Sequence, residues 1–534
     1  MTNESATAAG ETRRQNSQRL THISRNTLIV AASFGLAAVV GLVRNVVIAQ
    51  QFGIGADLDA YFAAFKLPDL LFTIVAGGAL ATAFIPIFAN FLSAGDRKGA
   101  WRLASAITNL VMIVVSTLAI LAAVAAPWLV ETLIAPGFSA AQQAETVDVM
   151  RIVLISTVIF GISAVQGSVL HGFKHFLLPA LAPVVYPLGI VVGAIFLAPT
   201  MGIKGLAIGA VIGSLLNLLI KVPGLIYYGF HWWPVLDLRG VHAEPVRRVL
   251  VLMGPRVLDL AVFHATLLAA TNLASRLGEG SVSALEWGWD AMQLPETVIG
   301  TAFGLVAFPT MAELAARNDR DGLRDTLGET LRAVIAFSVP AAVGLILLGR
   351  PLLALLYQRG AFDTQATEAV YTTLRLFALG LVGHVCLELV ARAYFAERDT
   401  ITPLIVAVVF AVVYLLLAIA LMVPMGAGGL ALANSLAITA EVLTLVWILR
   451  RRWDGIQGMA TLCSLARVLL ASGIMALALL AVLAAAESAG LDALPTVVIA
   501  GGIGFLTYLV AGLLLDVRIL RELPRALLGM ESDW

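Results

Sequence analysis

The sequence predicts an all-α integral membrane protein of about fourteen transmembrane helices, built as two parallel six-helix repeats followed by two appended helices. Three observations carry this. First, the 534-residue chain is 60% hydrophobic and only 13% charged, with a mean hydropathy of +0.93, whereas an ordinary soluble protein is about 25% charged. Second, apolar windows of the roughly 20 residues needed to span a bilayer centre near residues 38, 80, 117, 158, 188, 215, 262, 302, 340, 383, 411, 438, 473 and 505. Third, the chain repeats itself about 224 residues on. Pro86 meets Pro309, and the loop GDRKG meets NDRDG, at an offset of 223; Phe138 meets Phe362, Arg151 meets Arg375, Pro179 meets Pro403 and Gly205-Leu206-Ala207 meets Gly429-Leu430-Ala431 at 224. Six helices per unit is an even number, so both units run the same way through the membrane.

The order of segments follows. Residues 1–26 are a polar arm with Arg13, Arg14, Arg19 and Arg25 and no apolar core, so they read as a basic cytoplasmic arm rather than a signal peptide. Residues 27–230 form the N-terminal lobe, 245–452 the C-terminal lobe, 460–518 the appended pair and 519–534 a tail. With the arm in the cytoplasm, the basic clusters Arg97/Lys98/Arg102, Arg239/Arg247/Arg248, Arg317/Arg320/Arg324/Arg332, Arg392/Arg398 and Arg450/Arg451/Arg452 all fall in inner loops. Only the loop with Arg350 and Arg359 leans the other way. Both termini are then cytoplasmic.

Charges and prolines inside apolar runs are expensive in lipid and usually line an interior or a pathway. Arg44 lies about seventeen residues into the first span. It reads either as a cation for phosphate or carboxylate, or as an ion-pair partner of Asp59 or Asp69. The stretch Asp59…Lys66-Leu67-Pro68-Asp69 enters the second apolar run and has a weaker copy in Glu286…Gln293-Leu294-Pro295-Glu296. Pro68 and Pro295 are therefore expected at matching breaks or helix starts, with Asp69 and Glu296 serving the helix dipoles. Further on, His384, Glu388 and Arg392 share one helix face at i, i+4, i+8 and read as an ion or proton path or as a structural ion pair. Their repeat counterparts are Phe160, Ala164 and Ser168. Arg256, Asp259 and His264, and the i, i+4 pair Glu286 and Asp290, complete the intramembrane charges.

No Walker A loop, HExxH motif or Cys/His cluster is present, and Cys386 and Cys463 lack metal spacing. Neither an enzyme nor a metal or cofactor site is indicated, and nothing suggests nucleic acid. A repeated, charge-bearing helical membrane protein reads as a transporter driven by a coupling ion or the membrane potential.

The runs Gly41-Leu42-Val43-Arg44, Phe52-Gly53, Asp59-Ala60-Tyr61-Phe62, Ala64-Phe65-Lys66-Leu67-Pro68, Ala83-Phe84-Ile85-Pro86 and Ala135-Pro136-Gly137-Phe138 resemble the MviN/MurJ family over roughly residues 27–520. That family comprises lipid II flippases of the multidrug/oligosaccharidyl-lipid/polysaccharide exporter superfamily. The resemblance implies fourteen helices in the bacterial cytoplasmic membrane and outward movement of a lipid-linked peptidoglycan precursor by alternating access. It also implies a cationic cavity facing the pyrophosphate, to which Arg44, Asp59, Lys66, Arg256 and Asp290 are the candidate contributors. The chain departs from the family pattern at Ala38, Phe72 and Asp290, where the family has Arg, at Asn45, where it has Asp, and at Gly77 and Gln293, where it has acidic residues. Arg256 or another basic residue then substitutes, or the substrate differs. The alternatives are an exporter of another lipid-linked glycan or of a cationic small molecule, and a non-transporting membrane scaffold.

Overall fold

The computed structural model describes residues 32–33, 35–76, 78–240 and 243–527, with side chains described except at 75–76, 78–79, 254–259, 305 and 523–527. The basic arm, and most of the tail beyond 522, lie outside them. Among the described residues the secondary structure is helical, with no strand. Eleven helices are long and apolar enough to cross a membrane, or twelve if one bent pair counts as a span. The expected fourteen is not reached by this measure. The window near 80 falls at the junction of α2 (Ala56–Ala76) and α3 (Gly78–Ser93), while those near 411 and 438 share one helix, Ile401–Arg452.

The remaining elements are α1 (Gly35–Phe52), α4 (Arg97–Leu129), α5 (Ala140–Gly172), α6 (Leu177–Val192), α7 (Ala198–Met201), α8 (Ile203–Leu219), α9 (Val222–Tyr227), α10 (Ala243–Ala274), α11 (Ser281–Ala316), α12 (Arg320–Tyr357), α13 (Thr364–Ala378), α14 (Leu381–Ala396), α15 (Ile401–Arg452), α16 (Gly458–Ser488), α17 (Ala493–Leu514) and α18 (Arg518–Leu527). The sequence repeat is written into their ends. Asp96 caps α4 by accepting from Gly99 N, and Asp319 caps α12 by accepting from Gly322 N. Ser139 accepts from Gln142 N at the start of α5, and Asp363, 224 positions later, accepts from Ala366 N at the start of α13. Each cap satisfies one of the four amides that a helix start leaves without an intrahelical partner.

The same agreement holds at the kinks. Gly202, between α7 and α8, has φ 59° and ψ −140°; Gly426, inside α15, has φ 58° and ψ −141°. A side chain rarely adopts this backbone region. Beyond each kink the chain doubles back closely: a Cβ at Gly205 would strike Leu197 and Ala198, and one at Gly429 would strike Leu421 and Met422. The long α15 is thus two helices meeting at Gly426.

By compactness the chain forms two units. The first comprises residues up to Gln51, Ala63–Leu133 and Ser139–Ala265. Its core is aromatic where α3, α4 and α5 meet, with Phe84 stacked on Phe88, and Phe88 and Trp101 packed against Phe173. Elsewhere α6 and α8 approach through glycines. A Cβ at Gly189 would lie 2.2 Å from Gly213 N, and one at Gly209 would lie 2.8 Å from Gly189 O. Lipid offers no hydrophobic drive for such association, so close van der Waals approach of small residues supplies it. Gly209→Val is therefore expected to lower the amount of protein in the membrane severalfold, measured by immunoblot against Gly473→Val, where no atom stands within 4 Å of the added Cβ.

The second unit comprises Phe52–Phe62, Ile134–Phe138 and Thr266–Trp534. Within it α11 packs against α12, α13 and α14, and the pair α16 and α17 packs on α12. Tyr508 of α17 donates to Ala336 O of α12. The two ends of α15 are tied together: Asp399 accepts from Ile401 N and Thr402 N at its start and pairs with Arg452 at its end. Burial works against its charge, but Thr402 and Arg452 outweigh that and hold its pKa down to about 2. A carboxyl held below its unfolded value of about 4 stabilises the fold above that pH and loses the contribution as pH falls toward 2. Asp399→Asn should accordingly lower the thermal midpoint at pH 7, by an amount that shrinks as pH falls through 2, read by tryptophan fluorescence.

Candidate functional site

Arg44 sits half-buried on α1, in the first unit. Its Nε and Nη2 both donate to Asn45 Oδ1, at 3.0 and 2.7 Å. Among the described residues it forms no ion pair with a carboxylate. An amide oxygen carries no net charge, so this contact is not an ion pair. Asn45 stands where the family pattern has Asp, and the amide holds the fork in place without neutralising it.

Asp59 occupies the first turn of α2, is 0% exposed and belongs to the second unit. Its Oδ2 accepts from Gly280 N and its Oδ1 from Ser283 N, each at 2.7 Å. The reason is local. α11 begins after Gly280, which has a left-handed φ of 82° and offers no capping side chain. A carboxylate 221 residues earlier supplies the cap instead, next to the positive end of the helix dipole. Asp59 was expected among the substrate contacts; both of its oxygens are used by this cap. Next to it, Gly53 has φ +62°, and a Cβ there would fall 2.3 Å from Ala361 O. No other residue fits that approach.

Lys66 is half-buried on α2 and lies close enough to His264 of α10 to act on it electrostatically. Asp290 lies half-buried on α11, one turn beyond Glu286. The side chain of Arg256 lies outside the described residues. The structure thus brings Lys66 near His264 in the first unit, and Asp59 to the start of α11 in the second.

Pro68 and Pro295 do not mark breaks or helix starts. Both lie inside continuous helices, α2 and α11. Proline is tolerated within membrane helices because neighbouring groups satisfy the freed carbonyl. Among the described residues, marked discontinuities occur instead at Gly202, at Gly426 and at the 45° bend between α13 and α14. Glu296, read as a dipole partner, is likewise far from the N-terminus of α11 and cannot serve as its cap.

On α14, His384 is hydrogen-bonded through Nε2 to Asn434 Oδ1 at 2.9 Å and packs edge-on against Trp289 at 5.1 Å. Glu388 and Arg392 form an ion pair. A cluster that the sequence reading missed lies in the first unit. Lys221, 6% exposed, donates to Ser163 O, Ser163 Oγ and Asn217 Oδ1 at 3.0, 2.7 and 3.0 Å. The only sequence signal for it was a lone Lys at the end of an apolar run.

A parallel-repeat helical membrane protein with charges set into its spans is a polytopic transporter by class. The family model described as "Lipid II flippase MurJ" matches residues 48–493, and the chain belongs to that family. It is 29% identical over 438 residues to the lipid II flippase MurJ of Burkholderia cenocepacia, covering 81% of this chain and 84% of that protein. It is 30% identical to the probable lipid II flippase MurJ of Haemophilus influenzae, covering 77% and 83%. In fold it is similar to a lipid II flippase MurJ solved in an inward closed conformation, with a TM-score of 0.76 and 24% identity over 94% of this chain and 99% of that one. An inward-facing multidrug resistance MATE transporter follows at TM-score 0.69 and 16% identity, covering 78% and 94%.

Proposed function

We propose that this protein moves a polyprenyl-pyrophosphate-linked peptidoglycan precursor, lipid II, from the inner to the outer leaflet of the bacterial cytoplasmic membrane by alternating access. The observation that carries this reading, beside family membership, is Arg44: a guanidinium set in an apolar helix, oriented by Asn45 and paired with no carboxylate among the described residues. A pyrophosphate offers negative charge and paired acceptor oxygens that can take two N–H donors of such a fork. Lys66 adds a second cation in the same unit. Asp290 and Arg256 are placed at the site by the sequence reading alone.

In this reading the six-helix lobes span 27–230 and 245–452, the pair 460–518 is appended, and both termini face the cytoplasm. The loops between the first and second spans, and before α11, then lie on the outer face. Asp59 acts there as a closing cap rather than as a substrate ligand. Its bonds to Gly280 and Ser283 lie within the second unit and fix the start of α11 there. The coupling ion or membrane potential supplies the drive.

A second reading, export of a different lipid-linked glycan, is favoured by one observation. Phe72, where the family pattern has Arg, packs on Phe160 at 5.4 Å, which packs on Tyr186 at 4.9 Å. An aromatic cluster there binds less phosphate and more sugar face or polyprenyl chain. Rescue of bacteria depleted of their lipid II flippase decides between the two: growth with normal shape supports lipid II, and lysis at normal membrane abundance supports the other glycan.

A further inference from the structure

Glu296 caps no helix. It lies in the interior of α11, half-buried, and makes no hydrogen bond or ion pair among the described residues, although the charge of Glu388 acts on it. Gly300 and Gly304 follow it one and two turns along the same face. A Cβ at Gly300 would lie 2.2 Å from Glu388 Oε2, and one at Gly304 would collide with the Arg392 guanidinium. The charged strip of α14 is therefore seated against bare backbone of α11, and only glycine leaves room for it. Arg392 gives Nη2 to Glu388, while its Nη1 is buried without a partner.

The groups facing this cluster are few. His384 lies one turn before Glu388 on α14, held by Asn434 of α15. Glu441 is buried on the same α15. On α11 itself, Glu286 and Asp290 precede Glu296. From α12, no ionisable residue occurs between Arg332 and Arg350, and on α13 Arg375 sits over Tyr371. The corresponding places in the first unit, Phe160, Ala164 and Ser168, carry nothing that titrates. The α14 strip is a property of one half alone, whereas Glu296 itself has a repeat counterpart in Asp69.

A carboxylate in a membrane span is costly unless a cation or a proton neutralises it. A second carboxylate nearby adds repulsion. Arg392 already neutralises Glu388, and its positive charge, with Nη1 pointing nowhere else, repels a metal cation from the same place. A proton needs only one oxygen atom and tolerates the guanidinium beside it.

We propose that Glu296, with Glu388 and Arg392 beside it, is a proton-binding site of the C-terminal half, taking up one proton on the carboxylate oxygen and releasing it to water when α11 and α14 part. That this proton helps to drive transport rests on the flippase reading; the existence of the site does not.

Infrared difference spectra of the purified full-length protein in lipid nanodiscs, recorded across pH, test the site directly. Wild type should show a protonated-carboxyl band that titrates. Glu296→Gln should remove it, and Glu388→Gln should move it, because the repulsive neighbour is gone. A band unchanged in Glu296→Gln, or one lost only in Glu441→Gln, overturns the assignment. So does a band displaced at fixed pH by sodium but not by choline, which would make the site a sodium site. A second arm uses proteoliposomes with fluorescent lipid II and an imposed pH gradient. Wild-type flipping should follow the gradient, and Glu296→Gln should flip at a rate independent of it. Wild-type flipping that ignores the gradient overturns the coupling, whereas no flipping of lipid II by wild type rejects the flippase reading and leaves the spectra to decide the site.

Discussion

Arg44→Ala is expected to abolish rescue of flippase-depleted cells while membrane abundance stays near normal. An Arg in the interior of a membrane helix costs about 2.5–3.5 kcal/mol on insertion scales, so deletion removes a burden from the fold rather than a support. The bonds lost are two, both to the neighbouring Asn45, and no carboxylate among the described residues is stranded by the change. What is lost is the planar, doubly donating cation that a pyrophosphate would meet. Arg44→Lys should retain part of the activity, because an ammonium keeps the charge and loses the fork. Asn45→Asp should also lower activity, since a carboxylate in that position would neutralise the guanidinium that the amide leaves charged. Rescue and immunoblot read side by side check all three. Full rescue by Arg44→Ala at normal abundance would remove Arg44 from the site.

Asp59→Ala is expected to act in the opposite manner, by lowering the protein itself. Two amides at the start of α11 lose their acceptor inside the protein, where water does not reach a residue that is 0% exposed. Loss of a helix cap costs about 0.5–2 kcal/mol, and leaving buried donors unsatisfied adds about 1–3 kcal/mol. The thermal midpoint of the detergent-solubilised protein should fall by several degrees, and membrane abundance with it. Asp59→Asn keeps one acceptor oxygen in place of two and should fall between. An Asp59→Ala protein with wild-type midpoint would show that the cap is dispensable.

Much of this architecture was legible in the sequence because membrane helices obey few rules. Apolar length pointed to a many-span helical protein, although eleven or twelve helices rather than fourteen meet the length measure among the described residues, and the repeat at 224 residues reappears in the caps at Ser139 and Asp363 and in the twin kinks at Gly202 and Gly426. The site was less legible. Pro68 and Pro295 look like breaks in a linear reading, but a proline inside a membrane helix is accommodated by its neighbours, whereas the real breaks sit at glycines. The cap made by Asp59 is invisible in the sequence, because its two amide partners lie 221 and 224 residues away and backbone donors leave no trace in residue types. Glu296 was assigned to a helix end that is in fact distant. Lys221 was overlooked because its partners, Ser163 and Asn217, are neutral and unremarkable in an apolar run.

The long reach of Asp59 has a consequence for how the protein is made. Ribosomes add about 5–20 residues per second, so roughly 10–45 seconds pass between the synthesis of Asp59 and that of the amides 221 and 224 residues later that it caps. Throughout that interval the nascent chain holds an acidic residue whose burial is not yet compensated, and the 52–62 segment cannot settle into the unit to which it belongs. Insertion of the first spans and final assembly are therefore separate events in time. An N-terminal half released early by a stop codon would meet the quality-control proteases with that carboxylate still waiting for its helix.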